Sequence, residues 1–168
     1  MRNMKRNFFA ALILVLFFAF ADLSSSANGQ TRKGPAALTR STEVQQALYT
    51  EYKGVRLGVT AEEARAKLGT PALKGSDQDY YVFSDKETAE IVYDAAGKVV
   101  TLSVDYLGGV GAPDYKTVVG GEPEQASDGT FYKIVRYPSQ GFWVSYNRSA
   151  GPVAMVTITI QKMAEKGK

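Results

Sequence analysis

The chain contains neither cysteine nor histidine. Disulfides, thiolate nucleophiles, imidazole bases and imidazole metal ligands are therefore excluded, as is a lipid carried on an N-terminal cysteine. Long apolar runs are scarce too. The single one, Phe8 to Ala21, has 14 residues, short of the roughly 20 that a membrane-spanning helix needs. Arg2, Lys5 and Arg6 precede it, and Ala19-Phe20-Ala21 and Ser25-Ser26-Ala27 offer small-residue cleavage patterns. Residues 1–27 thus read as a secretory signal peptide. A strong excess of one charge is also missing. The whole chain carries 20 Lys and Arg against 17 Asp and Glu, and without residues 1–27 the balance is 17 against 16. Neither a nucleic-acid partner nor a standing attraction to anionic membranes is expected. Membrane contact is expected only through an uncleaved leader. The mature chain is expected in the periplasm or outside the cell, held together by its core alone.

The clearest positive signal is the stretch from Gly58 to Pro71. Thr60 and Glu63 have capping-box spacing, with Glu62 and Glu63 in the first turn and Arg65 and Lys67 in the last. Gly69 and Pro71 then stop the helix. Strands are expected at Asp79–Ser84, Thr88–Asp94 and Val99–Tyr106, the last two joined by a turn over Asp94–Lys98 closed by Gly97. Val100, Leu102 and Val104 should face inward. Upstream, residues 28–40 lack periodicity and read as a flexible linker. Ser41 is placed to cap a helix running to about Glu51.

The segment from Leu107 onward lays over the same pattern. Leu68-Gly69 aligns with Val119-Gly120, and Tyr93-Asp94 with Tyr146-Asn147. Gly111 stands where the capping threonine would be, and Gly141 marks a hairpin between Phe131–Tyr137 and Phe142–Tyr146. The expected organisation is a first unit over residues 41–106, a degenerate second unit over 107–162 and a charged tail over 163–168. The expected fold class is α+β: two tandem helix–three-strand-meander repeats forming an antiparallel sheet of about six strands, with helices on one face.

The run Gly58-Val59-Thr60-x-x-Glu63-Ala64-x-x-x-Leu68-Gly69-x-Pro71 resembles the pattern of the BamE-like (SmpA/OmlA) superfamily. The tandem arrangement resembles that of β-lactamase-inhibitory proteins. The resemblance implies a helix-and-sheet fold in the cell envelope and carries over no functional residue. The chain departs from these families in lacking the acylated cysteine of the BamE-like lipoproteins, so no lipid anchor is implied, and in lacking the disulfides of the inhibitory proteins.

Catalytic chemistry has few candidates left. Glu90, Asp94 and Asp105 could form a carboxylate pair of the kind used by glycosidases, but turn and solvated-strand roles account for them. Asp77 and Asp79 lack the remainder of a calcium loop. The aromatic surplus on strands is more telling. Trp143, Tyr81, Tyr80 and Tyr132 are the residues expected on a bare sheet face, where tyrosine and tryptophan serve protein interfaces or stack on sugars. The sequence thus points to an exported, non-enzymatic protein-binding or scaffold module that needs no cofactor or metal. The alternative readings are a peptidoglycan-binding module and a carboxylate-dependent hydrolase.

Overall fold

The computed structural model describes residues 45–164. The expected signal peptide, the linker and most of the tail lie outside the described residues. The described chain opens with a tight hairpin, β1 (Glu51–Tyr52) and β2 (Val55–Arg56). Its two turn residues, Lys53 and Gly54, both have positive φ, at 47° and 78°, the backbone that matches strand twist in two-residue turns. The helix expected from Ser41 to Glu51 is not formed among the described residues. Residues 45–50 contain no helical turn, and Ala47 and Tyr52 are buried while Leu48 is 59% exposed.

Helix α1 (Ala61–Leu68) follows. The Thr60 hydroxyl accepts the Glu63 N–H at 3.2 Å, and the Glu63 carboxylate accepts the Thr60 N–H at 2.8 Å. The capping box therefore closes in both directions. After α1 come β3 (Leu73–Lys74), β4 (Gln78–Val82), β5 (Glu87–Tyr93) and β6 (Val99–Leu107). A five-residue helix, α2 (Tyr115–Val119), precedes β7 (Glu124–Gln125), β8 (Phe131–Tyr137), β9 (Phe142–Arg148) and β10 (Met155–Lys162). Its cap is Asp114, whose side chain accepts the Lys116 N–H at 2.8 Å. The start therefore falls three residues later than the Gly111 expected from the sequence.

Strands β3 to β10 form one antiparallel sheet in the order β3-β4-β5-β6-β10-β9-β8-β7. Its centre is the β6–β10 pairing, which runs from Leu107↔Met155 to Thr101↔Gln161. Inward residues such as Ile91, Leu102, Val104, Ile158, Ile160 and Val144 form the core. Ala61 and Ala64 of α1, Val118 and Val119 of α2, and Tyr52 and Val55 of the hairpin join that same cluster. A bulge opposite Val92 and Tyr93 inserts Val100, so Val99 is buried and Val100 only half-buried. The expectation that Val100 faces the core is corrected by that extra residue.

The fold class is likewise corrected. The described residues are mostly β, with eight strands in one antiparallel sheet and two in another, and are not an α+β assembly of helix–three-strand repeats. Helices α1 and α2 have only eight and five residues. Such lengths are marginal without tertiary support, and each helix buries just two side chains. The glycines at 108, 109 and 111 all have positive φ, and together with Pro113 they leave no room for an earlier helical start in the second half. The helices plug one face of a sheet; they do not build a layer.

Candidate functional site

The sheet has a second face, on which no core cluster forms among the described residues. Strand alternation turns Tyr80 and Val82 outward on β4, Thr88, Glu90 and Val92 on β5, and Thr101, Ser103 and Asp105 on β6. On the other side of the centre it turns out Thr157, Thr159 and Gln161 on β10, Trp143, Ser145 and Asn147 on β9, and Tyr132, Ile134 and Arg136 on β8. Register joins these into rows. One row reads Leu73–Tyr80–Glu90–Ser103–Thr159–Ser145–Ile134 from edge to edge. A second reads Gln78–Val92–Thr101–Gln161–Trp143–Arg136, and a third Val82–Thr88–Asp105–Thr157–Asn147–Tyr132.

Two apolar ends therefore flank a polar middle. At one end Leu73 is 70% and Val82 55% exposed beside half-buried Tyr80; at the other Ile134 is 48% and Tyr132 42% exposed near half-buried Trp143. Two pairs in the middle satisfy each other across the β6–β10 seam. Ser103 and Thr159 hydroxyls lie 3.1 Å apart, and the Thr157 hydroxyl donates to Asp105 at 2.6 Å. The Tyr132 hydroxyl donates to Glu124 at 3.1 Å, and that hydrogen bond to a carboxylate raises the phenol above its ordinary range.

Of the four residues expected on this face, Trp143, Tyr80 and Tyr132 are there, and Tyr81 is not. Tyr81 points into the core at 2% exposure, stacked 5.7 Å from Phe83. Adjacent residues on a strand face opposite ways, so Tyr80 and Tyr81 could not both be outward. Nor do the three form one cluster. Tyr80 on β4 and Trp143 on β9 are four strands apart, about 19 Å at the usual interstrand spacing.

The carboxylates considered for catalysis have structural occupations. Asp94 accepts the Ala96 and Lys98 N–H groups, both at 2.9 Å, in the β5–β6 turn. Asp105 holds the Thr157 hydroxyl, and Glu90 stands opposite Tyr80 and Ser103. Asp79 is fully buried and bound four ways. Arg65 donates through Nε at 2.7 Å and a terminal nitrogen at 3.1 Å, the Tyr93 hydroxyl at 2.7 Å and the Gly75 N–H at 3.3 Å. Burial alone pushes this carboxyl up, but the Arg65 and Tyr93 hydrogen bonds outweigh it and hold it below the usual carboxylate range. It ties α1 to β4 and leaves no lone pair for a cation. Among the described residues no group of three or more acidic side chains is placed to hold a metal ion.

Sequence reasoning missed several residues here. Leu73, Val82 and Ile134 are more exposed than the tyrosines; outward parity could have found Ile134, whereas Leu73 lies on a strand that the sequence does not announce and Val82 shares the undecided parity of Tyr80 and Tyr81. A concavity was missed as well. A cleft of about 390 Å³ opens on the inward side, between the β1–β2 hairpin, the β8–β9 turn and the sheet, with Leu57, Val99, Phe142 and Ile160 among its lining. No family model, curated protein or solved structure matches the chain.

Proposed function

We propose that the chain is an exported protein-binding or scaffold module without catalysis of its own, which holds another envelope or secreted protein on the outward face of its sheet. One observation carries this reading: Leu73, Tyr80 and Val82 at one end and Trp143, Ile134 and Tyr132 at the other leave apolar and aromatic side chains open on one sheet face, on either side of a polar band in which Ser103 pairs with Thr159 and Thr157 with Asp105. A partner that covers this band finds those four side chains already paired and supplies its own polar groups to Glu90, Asn147 and Gln161. The flanking apolar and aromatic side chains supply the burial that anchors an interface. The resemblance of the Gly58–Pro71 stretch to the BamE-like superfamily supports an envelope setting for the same reading.

The test is capture of partners from the native envelope fraction by the mature protein, alongside Trp143→Ala and Ile134→Asp variants whose folding is checked by circular dichroism. Partner recovery should fall at least about tenfold in each, as expected when an interface anchor worth more than about 1.4 kcal/mol is lost. Undiminished recovery by both variants would remove the outward face from the reading.

A further inference from the structure

We infer that the free edge of β8 takes an extended, acidic segment of the partner as a further antiparallel strand. This rests on the reading of the chain as a partner-holding module and names the form of the partner's contacting segment. Strand β8 runs from Phe131 to Tyr137, but its outer neighbour β7 pairs only with Phe131 and Tyr132. The stretch from Lys133 to Tyr137, up to the 3-10 turn at Pro138–Gln140, has no strand on that side among the described residues. The opposite end of the sheet is better closed. There β3 and the Gly75 N–H cover β4 as far as Tyr80, which leaves only Tyr81 and Val82.

Register fixes which main-chain groups face that edge. The Met163 N–H donates to the Gly141 carbonyl at 2.7 Å, so odd-numbered residues of β9 bond to β10 and even-numbered ones to β8. On β8 the odd-numbered residues therefore bond to β9, and the even-numbered ones turn their N–H and C=O to the edge. β7 already uses this set at Tyr132, and the Ala126 N–H donates to the Thr130 carbonyl at 2.8 Å. Ile134 and Arg136 continue the set with one donor and one acceptor each. A row of such groups is a template for an added strand.

Charge selects the occupant. The edge carries Lys133 and Arg136, and neither is ion-paired among the described residues. The Lys133 ammonium lies against Gly121, within 2.8 Å of where a Cβ would stand. Arg136, exposed on the outward face, is therefore the cation that an incoming strand meets. The chain's own strand on this edge is acidic too: Glu124 of β7 stands opposite Tyr132 and accepts its hydroxyl. A strand laid end to end with β7, in the same antiparallel sense, places a carboxylate opposite Arg136. Two residues further on it places a β-branched side chain opposite Ile134, which is 48% exposed. A second copy of the chain fits less well. Paired antiparallel about Val135, it would set two Arg136 side chains diagonally across the new pairing, about 7 to 8 Å apart.

The test is amide hydrogen exchange of the mature protein, followed by nitrogen-15 NMR, with the peptide acetyl-Thr-Glu-Thr-Val-Thr-amide as probe. In the free protein the Ile134 and Arg136 amides should exchange far faster than those of Lys133 and Val135, which bond to β9. With the peptide they should slow by about tenfold when nine-tenths of the protein is bound. Methylating the peptide's valine nitrogen, whose N–H points at Ile134, should abolish the slowing. Methylating the nitrogen of the threonine before it, whose N–H points away, should not. Glutamine in place of the peptide's glutamate should weaken binding about threefold, the scale of an exposed ion pair. Unslowed Ile134 and Arg136 amides, or equal loss from either methylation, would overturn the inference. So would slowing that grows with protein concentration in the absence of peptide, the mark of a second copy on the edge. Failure of the peptide while partner capture still depends on Trp143 would strike the edge alone and leave the outward face standing.

Discussion

At the scale of single residues, the buried pair of Arg65 and Asp79 decides more than any other contact. Asp79 is fully buried, whereas the Arg65 side chain keeps 22% exposure. Removing the guanidinium leaves a buried carboxylate with only Tyr93 and the Gly75 N–H as donors. Arg65→Met should therefore cost about 3 kcal/mol at pH 7, the low end for breaking a buried ion pair from one side. The pH dependence has a definite sign. The folded carboxyl titrates below its unfolded value, which is about 3.9. Its contribution is thus present above about pH 4 and is lost as pH falls through the folded value. Urea unfolding at pH 7, 5 and 3 should show the gap between wild type and Arg65→Met narrowing at the lowest pH. A gap that stays constant over that range would mean that packing of the arginine stem, and not its charge, is what matters. The same pair fixes the facing of β4. With Asp79 drawn inward, Tyr81 must follow, and its hydroxyl ends in the core with no hydrogen-bond partner among the described residues. Its phenol is pushed up, first by burial and then by the Asp79 charge.

At the scale of elements, what was legible in the sequence tracks how local the determinant is. The α1 cap, the Asp94–Gly97 turn and the Gly141 hairpin each depend on a few adjacent side chains, and their residues stand out unaided. Thr60→Ala removes one half of the capping box and should cost about 1 kcal/mol, read as a drop in thermal midpoint by circular dichroism. An unchanged midpoint would show that tertiary packing of Ala61 and Ala64 holds α1 without its cap. Elements that depend on distant partners were hidden. β3 and β7 are two residues each and are strands only because β4 and β8 lie beside them. The bulge at Val99 and Val100 depends on the register with β5, so no alternation rule could place it. The outward face was legible for Trp143 because Phe142, Val144 and Tyr146 make an unambiguous apolar alternation. It was not legible for the Tyr80-Tyr81 pair, where either parity buries a tyrosine and only the reach of Arg65 to Asp79 breaks the tie.

At the scale of the whole molecule, the β6–β10 pairing joins two sides that cannot stand apart. Leu102 and Val104 on β6 and Ile158 and Ile160 on β10 are all buried at 1% exposure or less, and their burial depends on neighbouring strands from both sides. A fragment of residues 45–113 would present β6 as a long open edge, the kind that associates with other chains. It would also fall below the size, about 70 to 80 residues, at which one core supplies more than a few kcal/mol. The chain has no cysteine to compensate with a disulfide. The intact protein should therefore unfold in urea as a single transition, with tryptophan fluorescence from Trp143 on β9 and tyrosine circular dichroism, dominated by both sides of the sheet, changing together. Fragment 45–113 alone should show no cooperative transition, and mixing it with fragment 114–168 should restore one. Cooperative unfolding of 45–113 by itself would mean that the first side folds independently. The outward face would then be two separable surfaces, and the band of hydroxyls between its apolar ends would no longer be a fixed feature for a partner to cover.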